Sequence, residues 1–311
     1  MSETIVAINH LNKLYGKESA LADFSMNVQR GDIYGFVGQN GSGKTTTMKY
    51  ILSLIEGNSG SLELFGKNTP ADLANYRERI GSLIESPSFY PYLSAHENLT
   101  YYAKFKGITD KEIVGQLLEK IGLGDAGRKK FKNFSLGMKQ RLALGLAIMN
   151  NPDLLILDEP FNGLDPQGLA EFRKILLKLN HESNVTILIS SHILDELSHI
   201  ATTYGFIHQG KMIEEISEPA LQKKCGKYLL LKVDDTKKAS FVLEQTIHTD
   251  NYQILDDQRI RLFDCINESQ RVISALVKNG VEVKEVERKG LSLESYYLNL
   301  TEGGNQNVKH P

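Results

Sequence analysis

The stretch Gly38-Gln39-Asn40-Gly41-Ser42-Gly43-Lys44-Thr45 follows the apolar run Ile33-Tyr34-Gly35-Phe36-Val37 and leads into Thr46-Thr47-Met48-Lys49. The apolar run predicts a buried strand over 33–37, and the segment after the glycines predicts a helix over about 44–55. The spacing G-x-x-x-x-G-K-[ST], set between a strand and a helix, is the arrangement that wraps backbone around a chain of phosphates. Its glycines let successive N–H groups converge on phosphate oxygens, and the helix N-terminus adds positive potential. Lys44 is then placed to reach β- and γ-phosphates, and the Thr45 hydroxyl to ligate Mg²⁺. An ordinary glycine turn before a helix is the bland alternative, and the context at both ends weighs against it.

The rest of the first two hundred residues supports an α/β fold with a largely parallel sheet, because short apolar runs alternate with longer helical patterns. Leu154-Leu155-Ile156-Leu157 predicts a second buried strand, entered through Asn151-Pro152-Asp153, and two carboxylates leave its end together, Asp158 and Glu159. Asp158 is placed to hold Mg²⁺, and Glu159 is free to take a proton from an attacking water. A strand running into a solvated acidic loop would look the same in isolation; the phosphate-binding loop upstream decides against that. A third strand is predicted at 186–189. Asp165-Pro166 reads as N-cap and first helical residue of a helix to about 179.

Between the two halves of the sheet the pattern is helical over about 86–151. Ser94 to Glu97 and Thr109 to Glu112 both read as capping boxes, and another helix starts at Ser135. Gln209-Gly210 predicts a hairpin turn that closes a first domain at residue 217. From 218 to 311 the pattern resets. Strands at 228–233, 253–255, 259–263 and 281–286 and helices at 237–246 and 268–278 give a βαββαβ order, which suits a small ferredoxin-like α+β domain. A last helix is predicted at 293–300, and the tail from Glu302 onward is expected to be disordered.

Composition narrows the function classes. With 311 residues and 41% hydrophobic content the chain can bury a sizeable core. A net charge of −2 provides no global field toward nucleic acid, and no nucleic-acid partner is expected. The two cysteines, Cys225 and Cys265, lack the spacing of a zinc site or redox pair. No signal peptide and no apolar run of membrane-spanning length is present, so a cytoplasmic chain is expected whose membrane role runs through a partner.

At Phe134-Ser135-Leu136-Gly137-Met138-Lys139-Gln140-Arg141 the chain resembles the ABC ATPase family, whose signature reads LSGGQ. Ser135 and Gly137 match it; Phe134, Leu136 and Met138 depart from it. Tyr15 aligns with the aromatic that stacks on adenine, Asn162-Gly163-Leu164-Asp165 with the D-loop, and His192 with the switch histidine. The resemblance covers about residues 3–215 and implies a P-loop NTPase fold, a RecA-like core sheet carrying a helical insert. It implies ATP and Mg²⁺, with nucleotide contacts on Gly38 through Thr46, catalytic roles for Lys44, Glu85, Glu159 and His192, and the metal on Thr45, Asp158 and Glu85. It also implies a homodimer, or a pair with another ABC subunit, closed head to tail, in which Ser135 and Gly137 meet the partner's nucleotide, and it counts Asp165 of the D-loop among the ATP-binding residues. Glu85 stands where the family usually has a glutamine that senses Mg²⁺ and the attacking water; with this signature it looks like the subgroup serving bacitracin resistance and lantibiotic self-immunity. A misplaced alignment would leave Glu85 a surface residue.

The expected function is the ATP-hydrolysing subunit of an exporter, peripheral on the inner face of the membrane beside a separately encoded permease. The exposed members among Phe89, Tyr90, Tyr92, Tyr101, Tyr102 and Phe105 would form its docking groove. The basic cluster Arg128, Lys129, Lys130 and Lys132 reads as a solvated face or one near lipid or the partner. A soluble ABC ATPase without a transport role and an ATP-gated regulatory module are the alternatives.

Overall fold

The computed structural model describes residues 3–84, 88–110 and 112–302. The chain divides into two compact units, Met1–Ser217 and Glu218–Pro311.

The first unit runs β1 (Thr4–Tyr15), β2 (Glu18–Gln29), β3 (Ile33–Val37), α1 (Lys44–Ile51), β4 (Ser59–Leu64), α2 (Pro70–Arg77) and β5 (Ile80–Leu83). Then come α3 (Ala95–Phe105), α4 (Ile113–Lys120), α5 (Leu136–Ala147), β6 (Leu154–Leu157), α6 (Pro166–Ser183), β7 (Thr186–Ser191), α7 (Leu194–Ser198), β8 (Thr203–His208) and β9 (Lys211–Ser217). The main sheet has the order β5-β6-β7-β3-β8-β9. Its first five strands are parallel and β9 joins antiparallel. Every residue of β3, β6 and β7 is buried, which is why these strands carry continuous apolar stretches rather than alternations, with Thr186, Ser190 and Ser191 as the buried hydroxyls of β7. A second, antiparallel sheet, β2-β1-β4, packs a shared core of Ile5, Ile8, Phe24 and Met26 with Met48 and Ile51 of α1.

Parallel strands put their C-terminal ends on one side, and the loops after β3, β6 and β7 therefore open together at one edge, the usual place for a ligand. At the opposite end Arg79 Nε donates to Asp153 Oδ2 at 2.7 Å, with its guanidinium 4.5 Å from the Phe65 ring centroid. Arg30 Nη1 lies 3.5 Å from Asp153 Oδ1 and its Nε donates to Glu3 at 2.6 Å. The Arg79 hydrogen bond, followed by the nearby positive charge, holds the Asp153 carboxyl below its ordinary range.

Local signals explain most helix starts. Ser94 and Glu97 form the expected capping box, and Asp165 caps α6 with Pro166 at its first position. The hairpin turn at Gln209 and Gly210 has φ of +48° and +76°, the paired positive values of a two-residue turn that matches strand twist. Two expectations shift. α1 ends at Ile51 rather than near 55, and Ser53 follows with φ +60°. The Thr109 box does not form: α4 begins at Ile113 with no side-chain cap at Glu112, whose N–H is instead taken by Asp110 Oδ1 at 2.8 Å. The nearer carboxylate satisfies that amide in a turn, and the helix starts later.

The second unit runs α8 (Glu218–Lys224), β10 (Tyr228–Val233), α9 (Thr236–Val242), β11 (Tyr252–Ile254), β12 (Arg259–Leu262), α10 (Ser269–Lys278), β13 (Val283–Lys289) and α11 (Leu293–Glu302). Its sheet is antiparallel with the order β11-β12-β10-β13. Counted within the unit that is 2-3-1-4, the ferredoxin-like arrangement that a βαββαβ order produces. Leu229, Leu231, Ile260 and Leu262 point into its core against Val272 and Leu276 of α10. The last strand lies at Val283–Lys289, two residues later than its apolar start predicts. The expectation for the tail after Glu302 lies outside the described residues.

Candidate active site

The phosphate-binding loop is held from behind by close backbone packing. A Cβ on Gly38 would stand 2.5 Å from Ser42 Oγ and 2.7 Å from the Ile207 carbonyl oxygen. A Cβ on Gly43, which has φ +112°, would stand 2.7 Å from Leu21 Cδ2 and 2.9 Å from the Ala20 carbonyl oxygen. Only glycine fits either place. The β8–β9 turn braces the loop, as the Gly210 N–H donates to the Ser42 carbonyl at 2.9 Å. Gln39 and Asn40 are exposed, and Gly41 has open space and φ +79°. Ser42 Oγ is buried and has no hydrogen-bond partner among the described residues, a donor left for a ligand.

Lys44 is 5% exposed. Its Nζ donates to the carbonyls of Gly38 at 2.6 Å and Gln39 at 3.1 Å. It also lies 3.3 Å from Glu159 Oε1. That contact is an ion pair and not an aligned hydrogen bond, because Oε1 accepts none. The Thr45 hydroxyl donates to Asp158 Oδ2 at 2.6 Å. Two hard oxygens side by side suit Mg²⁺, which takes one or two protein oxygens and completes its shell with water and phosphate. Among the described residues no group of three or more His, Cys, Asp or Glu could hold a metal alone.

Glu159 has φ +49°, a left-handed conformation that a glutamate holds only when its surroundings impose it. Those surroundings are specific. Its N–H donates to Ser190 Oγ at 2.9 Å, and Ser190 in turn donates to Asp158 Oδ1 at 2.6 Å. His192 meets Glu159 Oε2 twice, through its N–H at 3.2 Å and through Nδ1 at 2.7 Å. The two carboxylates are thereby pulled apart, one toward Thr45 and one toward Lys44 and His192.

Lys44, Thr45, Asp158, Glu159 and His192 therefore form one cluster. Thr46 follows on α1. Ser135, Gly137 and Asp165 lie together elsewhere. Ser135 Oγ accepts the Met138 N–H at 3.3 Å, Asp165 Oδ1 accepts the Gly168 N–H at 2.9 Å, and a Cβ on Gly137 would stand 3.7 Å from Gly168 Cα. No hydrogen bond among the described residues joins these three to the phosphate-binding loop. Tyr15 ends β1, exposed, with Lys13 Nζ 5.0 Å from its ring centroid. Glu85 lies outside the described residues.

Sequence reasoning missed Ser190, Ile207 and Gly210. Ser190 carried a signal, a hydroxyl ending an otherwise apolar strand. Ile207 and Gly210 act through backbone packing, which left no signal beyond the turn that Gly210 marks.

The aromatic set divides as its spacing requires. Phe89 is buried, edge-on to Tyr102 and 5.0 Å from Phe131 by ring centroids. Tyr92 and Phe105 are 71% and 81% exposed. An open groove of about 340 Å³ lies beside Phe105, lined by Ile80, Ser82, Tyr102 and Leu146. No helix among the described residues is long and apolar enough to cross a membrane.

Comparison with known proteins places this geometry. The family described as ABC transporter matches residues 21–162. Over 301 residues the chain is 42% identical to the bacitracin transport ATP-binding protein BcrA of Bacillus licheniformis, covering 97% of this chain and 98% of that one. It is 43% identical over 212 residues to the lantibiotic transport ATP-binding protein SrtF of Streptococcus pyogenes, covering 68% and 90%. Among solved structures, an ATP-binding subunit of an ABC transporter superposes with a TM-score of 0.61 at 27% identity, over 71% of this chain and 93% of that one.

Proposed function

This chain belongs to the ATP-binding proteins of ABC transporters and is an ATPase, and from that premise we propose that it powers export of a peptide antibiotic of the bacitracin or lantibiotic kind through a separately encoded membrane permease. The observation that carries the catalytic part is the convergence of Lys44, Thr45, Asp158, Glu159 and His192 at the open end of three adjacent parallel strands. The near full-length likeness to a bacitracin transport protein supports the substrate class.

In this reading Lys44 and the loop amides of residues 39–45 bind the phosphates of ATP, and the Ser42 hydroxyl adds a donor. Thr45 and Asp158 hold Mg²⁺, whose charge when bound offsets negative charge on the phosphate oxygens. Glu159 accepts the proton of the attacking water through its Oε1, the oxygen that accepts no hydrogen bond here. His192 keeps Oε2 fixed, so that Oε1 points one way. Such help from a positioned base is worth roughly 10²–10⁴-fold.

The exposed ring of Tyr15 is assigned to the adenine face. Glu85 is assigned to the Mg²⁺ and water side from its place in the sequence alone. Ser135, Gly137 and Asp165 are assigned to a second copy's nucleotide, since a capped helix N-terminus away from its own phosphate-binding loop offers an anion site to a partner. The whole works as a head-to-tail dimer. Residues 1–217 act as the ATPase domain and 218–311 as an accessory domain, at the cytoplasmic face of the membrane. The groove beside Phe105 receives the permease.

The test is ATP turnover by the purified chain, alone and with its permease in lipid. Lys44→Ala should abolish both rates, and Phe105→Ala should leave the basal rate while lowering stimulation by the permease several-fold. Turnover by Lys44→Ala at the wild-type rate would remove the catalytic assignment, and full stimulation of Phe105→Ala would remove the groove.

A further inference from the structure

We propose that Leu136 is a positioning residue that ties the signature helix to the loop carrying Glu159, so that each subunit reports the state of its own site to the site of its partner. The inference rests on the dimer reading above.

Leu136 opens α5 immediately after its cap Ser135. The family signature has a glycine at this place; here an apolar side chain stands 48% exposed. Its δ-methyl rests on backbone: a Cβ on Gly163 would stand 2.8 Å from Leu136 Cδ2, and Gly163 has φ +73°. Glycine at 163 thus serves twice, for the turn and for the methyl above it. The neighbouring contacts reinforce the tie. Gly137 and Gly168 bring the first turns of α5 and α6 together, with the Leu164 side chain packed beside both. Further along α5, Arg141 Nη1 donates to the Gly122 carbonyl at 2.9 Å and lies 3.1 Å from Glu171 Oε2 on α6.

The loop under Leu136 starts at the catalytic carboxylate. The Asn162 N–H donates to the Glu159 carbonyl at 3.2 Å, and the Leu164 N–H to that of the buried Phe161 at 3.2 Å. Glu159, Asn162, Gly163, Leu136 and Ser135 therefore form a continuous contact path. A backbone shift at Glu159, which sits at φ +49°, displaces Gly163 and with it the helix start. In the dimer Glu159 serves its own nucleotide and Ser135 the partner's, so the path joins the two sites through a packed, compact element rather than through the nucleotides.

The experiment measures ATPase rate against ATP concentration for the full chain and for Leu136→Ala, Leu136→Met and Gly163→Ala, with Glu159→Gln as control. Leu136→Ala should lower kcat about fivefold or more and bring the Hill coefficient to 1, with affinity for a non-hydrolysable ATP analogue within twofold and an unchanged Tm. Leu136→Met, which can still reach Gly163, should retain both values. Gly163→Ala should shift kcat and the Hill coefficient in the same direction, because its new methyl collides with Leu136. A Leu136→Ala enzyme with wild-type kcat and Hill coefficient overturns the inference. Should that variant fail to fold, wild-type values in Gly163→Ala overturn it equally. Turnover by the Glu159→Gln control would instead overturn the site reading on which the inference stands.

Discussion

Replacing Glu159 with glutamine should block turnover and, less obviously, tighten binding of both ATP and ADP. Lys44 Nζ donates to two loop carbonyls and lies 3.3 Å from Glu159 Oε1, with side-chain exposures of 5% and 18% for the pair. A bound phosphate must compete for that ammonium. At an effective dielectric near 20, a unit pair at this separation attracts by about 5 kcal/mol, a gross figure before desolvation is subtracted. Glutamine keeps the shape and an acceptor oxygen but removes the charge. Most of that attraction is offset by the cost of taking the two charges out of water, so removing the carboxylate charge weakens the competition by about 1 kcal/mol, the scale of a single ion pair that is not deeply buried on both sides. That corresponds to roughly fivefold tighter binding. Titration calorimetry with each nucleotide gives the two Kd values, and a steady-state assay gives the loss of turnover. ADP is the discriminating ligand, because a carboxylate that merely repelled the γ-phosphate would leave ADP unaffected. If Glu159→Gln binds ADP no more tightly than wild type, the Lys44–Glu159 pair does not compete with nucleotide and the reasoning fails.

Gly38→Ala should abolish nucleotide binding while the rest of the first unit stays folded, since its methyl would meet Ser42 Oγ at 2.5 Å and a fixed carbonyl at 2.7 Å; a fluorescent-nucleotide titration indistinguishable from wild type would contradict the packing behind the loop. For pH, Asp153 carries a carboxyl depressed from its ordinary value of 3.8, chiefly by the hydrogen bond from Arg79. A depressed acid stabilises the fold above its unfolded pKa and loses that contribution as pH falls through the folded value. Asp153→Asn should therefore melt below wild type at pH 7, and the gap should close at pH values below about 4; a gap of constant size in thermal melts would show that charge plays no part.

Much of the chemistry was legible in the linear order because it depends on short-range spacing. The phosphate-binding loop lies within eight residues, Asp158 and Glu159 are adjacent, and Ser94 with Glu97 and Asp165 with Pro166 mark helix starts through contacts three residues apart or fewer. Local hydrogen bonds and backbone freedom depend on neighbours in sequence, so patterns reveal them. The βαββαβ order of the second unit was readable for the same reason, as each element carries its own periodicity. The Thr109 box shows the limit even of local rules, because Asp110 offered a closer acceptor and took the amide. What only the tertiary structure decided depends on chain separations no pattern encodes. Thr45 meets Asp158 at 2.6 Å across 113 positions, and Lys44 meets Glu159 through the pairing of β3 and β6 with β7 between them. Ser190 accepts the Glu159 N–H and donates to Asp158 Oδ1 only because β7 ends beside β6. Leu136 reads in sequence as a departure from a signature; packed over Gly163 it becomes a contact between helix and loop. Sequence specifies which groups are available and how they bend the chain locally, while sheet order and close packing determine which of them share charge, protons and motion.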